Sequence, residues 1–427
     1  MPMSTALLTD HYELTMLQAA LRSGAAHRRA VFEVFARHLP GGRRYGVVAG
    51  TGRVLDELEH FRFGDEELAY LRERQVVDES TLAFLADYRF SGNICGYAEG
   101  EVYFPASPIM VVEGTFAEAV LLETLVLSIL NHDCAIASAA SRMRNAAGGR
   151  PLIEMGSRRT HERAAVAAAR AAYIAGFAST SNLMAGRAYG VPTAGTAAHA
   201  FTLLHDSERA AFEAQIASLG HETTLLVDTY DVAEAVRTAV ELAGNKLGAV
   251  RIDSGDLAAA AQEVREQLDA LGAFDTRIVV TSDLDEYAIA ALAAAPVDGY
   301  GVGTSLVTGS GVPTAALVYK LVARETASGD LEPVAKRSVG KPSRGGRKEA
   351  YRLLDERGHA ETELITTSGT APEGGVPLLR ELVRGGEVVG REPLAEARER
   401  HAHAVTLLPQ EALHLGRGYA AIPTEFA

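Results

Sequence analysis

The 427-residue chain predicts an α/β protein, with a parallel sheet or β/α barrel attached to a second, peripheral domain. Three observations predict it. From residue 151 onward, short apolar runs alternate with Ala-rich helical stretches, the rhythm of βα units. Nearly every run ends in a polar or glycine cluster, as strands do at the active-site face of a barrel. Before 116 and after 325 that rhythm is absent. The expected division is an N-terminal α/β domain over 1–115, a barrel over 116–325, and a peripheral segment over 326–427 that completes the first domain.

The elements follow in order. Residues 11–23, HYELTMLQAALRS, place apolar side chains at helical spacing, with Thr9 or Asp10 as N-cap. AVFEVFAR (30–37) alternates as a strand, and helical patterns cover 50–87. Residues 92–104 are punctuated by Gly and read as β, a style that SPIMVVEGTF continues. Residues 116–149 form one or two long helices ending at Gly148 and Gly149. The strands of the βα series are expected at 151–156, 191–196, 223–230, 248–256, 276–283, 297–305 and 315–322. RSVGKPSRGGRKEAYRLLDERG is basic and Gly-rich, then strand-like, and residues 370–427 are mixed.

Composition excludes several classes. Nearly half the residues are apolar, enough for a large core, and the formal net charge is -14, which argues against a general nucleic-acid binder. No run approaches the roughly 20 apolar residues of a membrane helix, and the N-terminus has no basic segment leading into an apolar one. Cys95 and Cys134 make neither a disulfide framework nor a zinc site and read as packing residues, so a reducing cytoplasm fits. His11, His132, His161, His205 and the His401/His403 pair lack metal spacing, and the last pair reads as solvated.

Chemistry concentrates at the strand ends: Glu154, Thr196 with His199, Asp228, Arg251 with Asp253, Ser282 with Asp283, and Gly301-Val302-Gly303-Thr304. GVGTS late in a βα series suits an anion, because its glycines let backbone N–H groups point at a phosphate. Arg251 and Asp253 share strand parity and face one side together; charge inside an apolar strand is costly unless used. Asp256 reads instead as a helix N-cap. Arg158 and Arg159, just beyond a strand, suit phosphate or carboxylate equally as well as they suit a solvated loop. Tyr12 on its own reads as part of a packed leading helix, and His199 as a core histidine, a ligand or a reactive group.

The stretches LLTDHYELTM, FEVFARHLPGGRRYGVVAGT, EMGSRR, GFASTSNLMAGRAYGVPTAGTAAHAF, LLVDTYD, VRIDSGDL, VGTSLVTG and ALVYKL run from residue 7 to 322 in one order. In that combination the chain resembles nicotinate phosphoribosyltransferase from end to end. The resemblance implies an irregular β/α barrel beside an α/β sandwich, in a cytoplasmic homodimer whose active site is shared between subunits. It implies conversion of nicotinate and phosphoribosyl pyrophosphate to nicotinate mononucleotide and pyrophosphate, with coupled ATP hydrolysis, in NAD biosynthesis. His199 then matches the histidine phosphorylated by ATP. Nicotinate falls to Thr196, Arg251, Arg158, Ser181 and, reaching in from the neighbouring subunit, Tyr12. Phosphoribosyl pyrophosphate falls to Gly303, Thr304, Ser282, Asp283 and Asp253. Magnesium enters through the substrate phosphates with no direct protein ligand implied, and Asp253 looks like a ribose-hydroxyl or magnesium-side group. The sequence departs from the relatives in carrying Met155 where Phe is common. GFASTSN also lacks the carboxylate of nicotinamide-specific relatives, so that Thr180 and Ser181 favour the acid.

The chemistry suits these residues. Transfer at the ribose anomeric carbon passes through an oxocarbenium-like state while pyrophosphate leaves, which calls for cations, backbone donors and magnesium. The competing readings are a nicotinamide or quinolinate phosphoribosyltransferase, an aldolase-like barrel using Lys320 as a Schiff base, and a non-catalytic nucleotide-binding barrel.

Overall fold

A computed structural model describes residues 4–336 and 344–427; the basic loop expected over 336–350 lies in part outside them. The chain divides into two compact units, Met1–Ser138 with Val312–Ala427, and Ala139–Gly311. The expected boundaries at 115 and 325 shift accordingly. The run at 315–322 does form a strand, Leu317–Glu325, but it pairs antiparallel with Arg29–Ala36, placing Lys320 opposite Glu33. Residues 116–135 likewise pack into the first unit's core through Leu121, Leu122, Val126 and Leu130.

The first unit is built on a seven-stranded antiparallel sheet in the order Leu331–Pro333, Leu317–Glu325, Arg29–Ala36, Met110–Thr115, Asn93–Tyr97, Leu379–Arg384, Glu387–Val388. Strand alternation sorts its side chains. Phe32, Val34, Ile94 and Val112 join the main core with Leu14 and Leu17 of helix His11–Ser23, whereas Val31 and Val111 join Val322 in a smaller cluster. The helical run at 50–87 resolves into three helices, Thr51–His60, Asp65–Glu73 and Glu79–Ala86. Asp10 holds the N-cap position of the leading helix without a side-chain bond; Thr9 donates to Glu13 instead. Both Glu13 and Lys348 are buried, and each has partners: Thr124 N donates to Glu13 at 3.0 Å, and Lys348 meets Glu33 at 2.6 Å. A four-stranded sheet of Val376–Pro377, Glu349–Leu354, Ala360–Thr366 and Thr424–Phe426 carries the C-terminal segment. Helix Leu394–Thr406 buries His401 and leaves His403 exposed, so the pair expected to be solvated is split by the helix's two faces.

The second unit holds six parallel strands: β1 Leu152–Glu154, β2 Ser179–Thr180, β3 Thr224–Leu226, β4 Ala249–Ile252, β5 Arg277–Val280 and β6 Gly299–Val302. Their order is β2-β1-β6-β5-β4-β3, so the fold is mixed α/β with a parallel half-barrel. The expected strand at 191–196 reduces to a single bridge, Thr193 to Thr180. Pro192 has no N–H to give a ladder and contributes only its carbonyl, which accepts from Thr180 N at 2.9 Å. Helices such as Glu162–Ile174 turn Ala faces inward, and small side chains let helix and sheet approach closely. Among the described residues no helix is long and apolar enough to cross a membrane.

Candidate active site

The carboxyl ends of the parallel strands converge, as the strand-end chemistry requires. A cavity of ≈ 260 Å³ opens there, lined by Met155, Arg158, Arg159, Arg251, Asp253, Thr281, Ser282, Asp283, Gly301, Gly303 and Thr304. Each strand delivers its groups by simple register. β3 leads to Asp228 and Thr229, β4 carries Arg251 and ends at Asp253, β5 runs into Thr281 and Ser282, and β6 into Gly303 and Thr304.

His199 opens the short helix His199–Leu204 and is half-buried. Its Nδ1 lies 3.1 Å from Thr229 Oγ1, and its Nε2 lies 3.9 Å from Asp228 Oδ1 and 3.8 Å from Asp253 Oδ2. The two carboxylates are themselves fixed. Asp228 Oδ2 accepts from Asp253 N at 2.8 Å and Ser254 Oγ at 2.7 Å, and Asp253 Oδ1 accepts from Thr281. Asp228 Oδ1 is buried and has no hydrogen-bond partner among the described residues. An acceptor buried that way is costly unless something comes to it. Asp256, three residues on from Asp253, caps helix Leu257–Ala270 by accepting from Ala258 N and Ala259 N, as its sequence position suggests.

Arg251 donates to Thr196 Oγ1 at 2.5 Å, so the two residues expected to serve one substrate meet. Its Nε is buried without a partner. Burial holds the Arg251 guanidinium below its ordinary pKa, Asp253 and Asp228 pull it back up, and Arg158 opposes them. Arg158 and Arg159 are exposed into the cavity, and among the described residues neither guanidinium has an ion pair. The cavity therefore presents three guanidiniums beside the carboxylates of Asp253 and Asp283. Gly301 is required by close approach: a Cβ there would sit 2.5 Å from Thr281 Cγ2 and 2.7 Å from Met155 Sδ. The thioether thus fills the floor beneath β6. Ser282 has φ of 116°, a region that disfavours side chains, and such strain persists where surrounding structure enforces it.

Some expected residues are not brought in. Ser181 is exposed but does not line the cavity; its N–H donates to Glu154 O at 2.8 Å. Thr180 is fully buried and its hydroxyl is spent on Glu154, so it presents no free group to a substrate. Glu154 itself lies below the mouth, 0% exposed, and burial pushes its carboxyl pKa up. Tyr12 belongs to the first unit, 45% exposed on the leading helix, with its hydroxyl bonded to Glu123. Lys320 lies on the antiparallel sheet, 3.8 Å from Glu123, which removes the late-strand placement that a Schiff-base reading needs. Residues the sequence reading passed over are Thr229 and Thr281. Thr281 directly follows β5 and Thr229 lies three residues beyond β3, and only their bonds to Asp253 and His199 reveal them. Among the described residues no three or more His, Cys, Asp and Glu side chains form a metal-binding group.

Residues 7–131 match the nicotinate phosphoribosyltransferase (NAPRTase) N-terminal domain, and residues 151–362 match the nicotinate phosphoribosyltransferase (NAPRTase) family. The chain is 60% identical to nicotinate phosphoribosyltransferase pncB1 of Mycobacterium tuberculosis, over 98% of this chain and 94% of that protein. The chain belongs to the nicotinate phosphoribosyltransferase family. It is also 38% identical to the nicotinate phosphoribosyltransferase of Bacillus subtilis, over 83% of this chain and 74% of that protein. The crystal structure of human nicotinic acid phosphoribosyltransferase superposes with a TM-score of 0.84 at 27% identity, covering 98% of this chain and 97% of that one. The nicotinate-nucleotide pyrophosphorylase of Pyrococcus furiosus superposes with a TM-score of 0.78 at 26% identity, covering 94% and 95%.

Proposed function

We propose that this nicotinate phosphoribosyltransferase family member joins nicotinate to phosphoribosyl pyrophosphate, giving nicotinate mononucleotide and pyrophosphate, with ATP hydrolysis coupled through a phosphohistidine at His199. The observation that carries the reading is the placement of His199 Nε2 between the carboxylates of Asp228 and Asp253, with Asp253 also lining the cavity that holds Arg158, Arg159 and Arg251.

In the first step, the tautomer that carries its proton on Nδ1, beside Thr229 Oγ1, leaves the Nε2 lone pair as nucleophile. It attacks the terminal phosphorus of ATP; an N–P bond forms, a P–O bond breaks and ADP leaves. The two carboxylates stabilise the positive charge that develops on the ring. They also repel the phosphoryl group, so a counter-cation is needed. Asp228 Oδ1, lacking a partner, and Asp253 Oδ2 are the oxygens that fit magnesium carried in on the phosphates. Those two oxygens would hold it, and its charge would there offset that of the phosphates.

In the second step, the pyridine nitrogen attacks the anomeric carbon; an N–C bond forms and the C–O bond to pyrophosphate breaks. Arg158, which the resemblance assigns to nicotinate, lines the same cavity as Arg159, Gly303, Thr304, Ser282 and Asp283 and is reassigned with them to phosphoribosyl pyrophosphate. Arg251, oriented by Thr196, holds the carboxylate of nicotinate. No base is required, since the pyridine nitrogen is already nucleophilic; water then attacks the phosphorus, the N–P bond breaks, and inorganic phosphate leaves His199 free again. Tyr12 is assigned to the pyridine face of a partner subunit's site in a homodimer, in keeping with its exposure. The two free cysteines, Cys95 and Cys134, agree with a reducing cytoplasm.

The test is His199→Asn. The variant is expected to take up no acid-labile phosphate from ATP, and to lose the ATP-dependent gain in affinity for phosphoribosyl pyrophosphate. An unchanged ATP stimulation of turnover in this variant would overturn the phosphohistidine.

A further inference from the structure

Beneath the mouth lies a carboxylate that the reaction does not use. Glu154, the last residue of β1, is 0% exposed, and among the described residues no cation pairs with it. Burying an unpaired carboxylate is expensive, and its hydrogen bonds must offset that cost. It has two. Gly156 N donates to Oε1 at 2.5 Å, and the Thr180 hydroxyl donates to Oε2. Thr180 Oγ1 in turn accepts from Asn182 N at 2.9 Å, so its own proton is directed at Glu154.

These two bonds reach both halves of the substrate site. On one side, Gly156 is pinned in a slot that admits no side chain: a Cβ would lie 2.2 Å from Val307 Cγ1 and 3.0 Å from Gly303 O. The turn that follows closes by Arg159 N donating to Gly156 O at 2.8 Å, and it carries Arg158 and Arg159 into the cavity. Asn182 Nδ2 donates to Ser157 Oγ at 3.0 Å, tying the same turn to the end of β2. On the other side, Thr180 holds the segment after Pro192 through Pro192 O and Ala194 N, both at 2.9 Å. That segment ends at Thr196, the partner of Arg251.

We infer that Glu154 is a positioning residue: by clamping Gly156 and Thr180 together, its carboxylate sets the Arg158/Arg159 turn for the pyrophosphate group and the Thr196 segment for Arg251. The inference rests on the proposed reading of the cavity as the pyrophosphate site. A side chain that only filled space would be replaceable by any residue of similar volume. A clamp needs a hydrogen bond to each of Gly156 and Thr180. Glutamine keeps the acceptor for Gly156 N–H and can still bond the Thr180 hydroxyl oxygen, whereas alanine keeps neither.

The experiment measures inorganic pyrophosphate binding by calorimetry on the intact protein, alongside the KM for phosphoribosyl pyrophosphate and kcat. Glu154→Ala and Thr180→Val are expected to weaken pyrophosphate binding and raise this KM by about tenfold or more, with kcat changed less than about threefold; Glu154→Gln stays within about threefold of wild type. Thr180→Val preserves volume, so it carries the test if the alanine variant does not fold. Wild-type pyrophosphate affinity in a folded Glu154→Ala or in Thr180→Val would overturn the inference, as would a Glu154→Gln as weak as the alanine variant. Failure of wild type to bind pyrophosphate would also overturn it. Pyrophosphate binding that responds to these variants without any formation of nicotinate mononucleotide would instead sink the proposed reaction and leave the clamp standing.

Discussion

In the first unit Lys348 meets Glu33 at 2.6 Å with both side chains 3% exposed, and Arg352 is held by Glu101 and Glu363 at 2.8 Å each. Tyr97 adds a 2.6 Å bond to the same Glu363. In the second unit Arg158 and Arg159 stand exposed in a cavity, Arg251 Nε and Asp228 Oδ1 are buried without partners, and Ser282 is strained. In the first network every named charge meets an opposite one and only Arg352 Nε is left without a bond, whereas in the second Arg158 and Arg159 meet no opposite charge among the described residues. A charge network closed on itself has nothing left to offer a ligand and contributes to a specific fold. A network with open valences costs stability and is retained where a ligand completes it. The difference teaches where to look for chemistry: at the unfinished bonds rather than at the greatest density of charge.

The largest expected effect is on the open network. Arg251→Ala removes the donor to Thr196 and the proposed carboxylate partner, and kcat/KM for nicotinate is expected to fall by about two orders of magnitude; Arg251→Lys does not restore it, because one ammonium cannot replace a planar fork. Steady-state kinetics check this, and a mild loss would place Arg251 outside the site. Next is the closed network. Lys348→Met leaves Glu33 buried and unpaired and is expected to cost about 3–5 kcal/mol in urea unfolding, while pairing it with Glu33→Leu recovers most of that. If the single variant is as stable as wild type, the contrast between the units fails.

Smaller effects sharpen the contrast within a single loop. Asp256 sits three residues from Asp253 but serves its helix, so Asp256→Ala is expected to cost about 1 kcal/mol with kcat/KM unchanged. A kinetic defect would move Asp256 from structure to site. Glu13 is read through pH instead of through the site. Burial pushes its carboxyl up to about 7, outweighing the bonds from Thr124 and Thr9 that favour the ionised form. A raised folded-state pKa gives stability that is complete below the unfolded value of about 4.5 and is lost as pH rises through about 7. Urea midpoints are therefore expected to decline from about pH 5 to about pH 8 in wild type and to stay flatter in Glu13→Gln. Parallel profiles would show that Glu13 does not titrate in this range.

Much of the site was legible because it is local. A strand that ends in Arg251-Ile252-Asp253 must present alternate residues to one side, and Asp256 just before an Ala-rich run must cap it. These follow from periodicity within a few residues. The same rule misplaced Glu154 at the mouth, because a strand-end carboxylate looks alike whether it meets solvent or the amide two residues on. Thr180 and Ser181 came instead from the family resemblance, as residues that favour the acid. Their environment is supplied by β1 and by residues near 192, which sequence spacing does not bring together.

The sequence by itself determined the βα rhythm, the helices and the identity of the groups at the strand ends, since these depend on hydrophobic period and on capping within one turn of chain. Only the tertiary structure decided that Leu317–Glu325 lies against Arg29–Ala36, that the segment after Pro192 makes a bridge instead of a strand, and that the parallel sheet stays open. It also decided which charges are closed on themselves and which are left open. Strand pairing and burial join residues hundreds of positions apart, and an apolar strand reads alike whichever neighbour it finds; the partner is chosen by which arrangement buries the most surface while leaving the fewest polar groups unbonded.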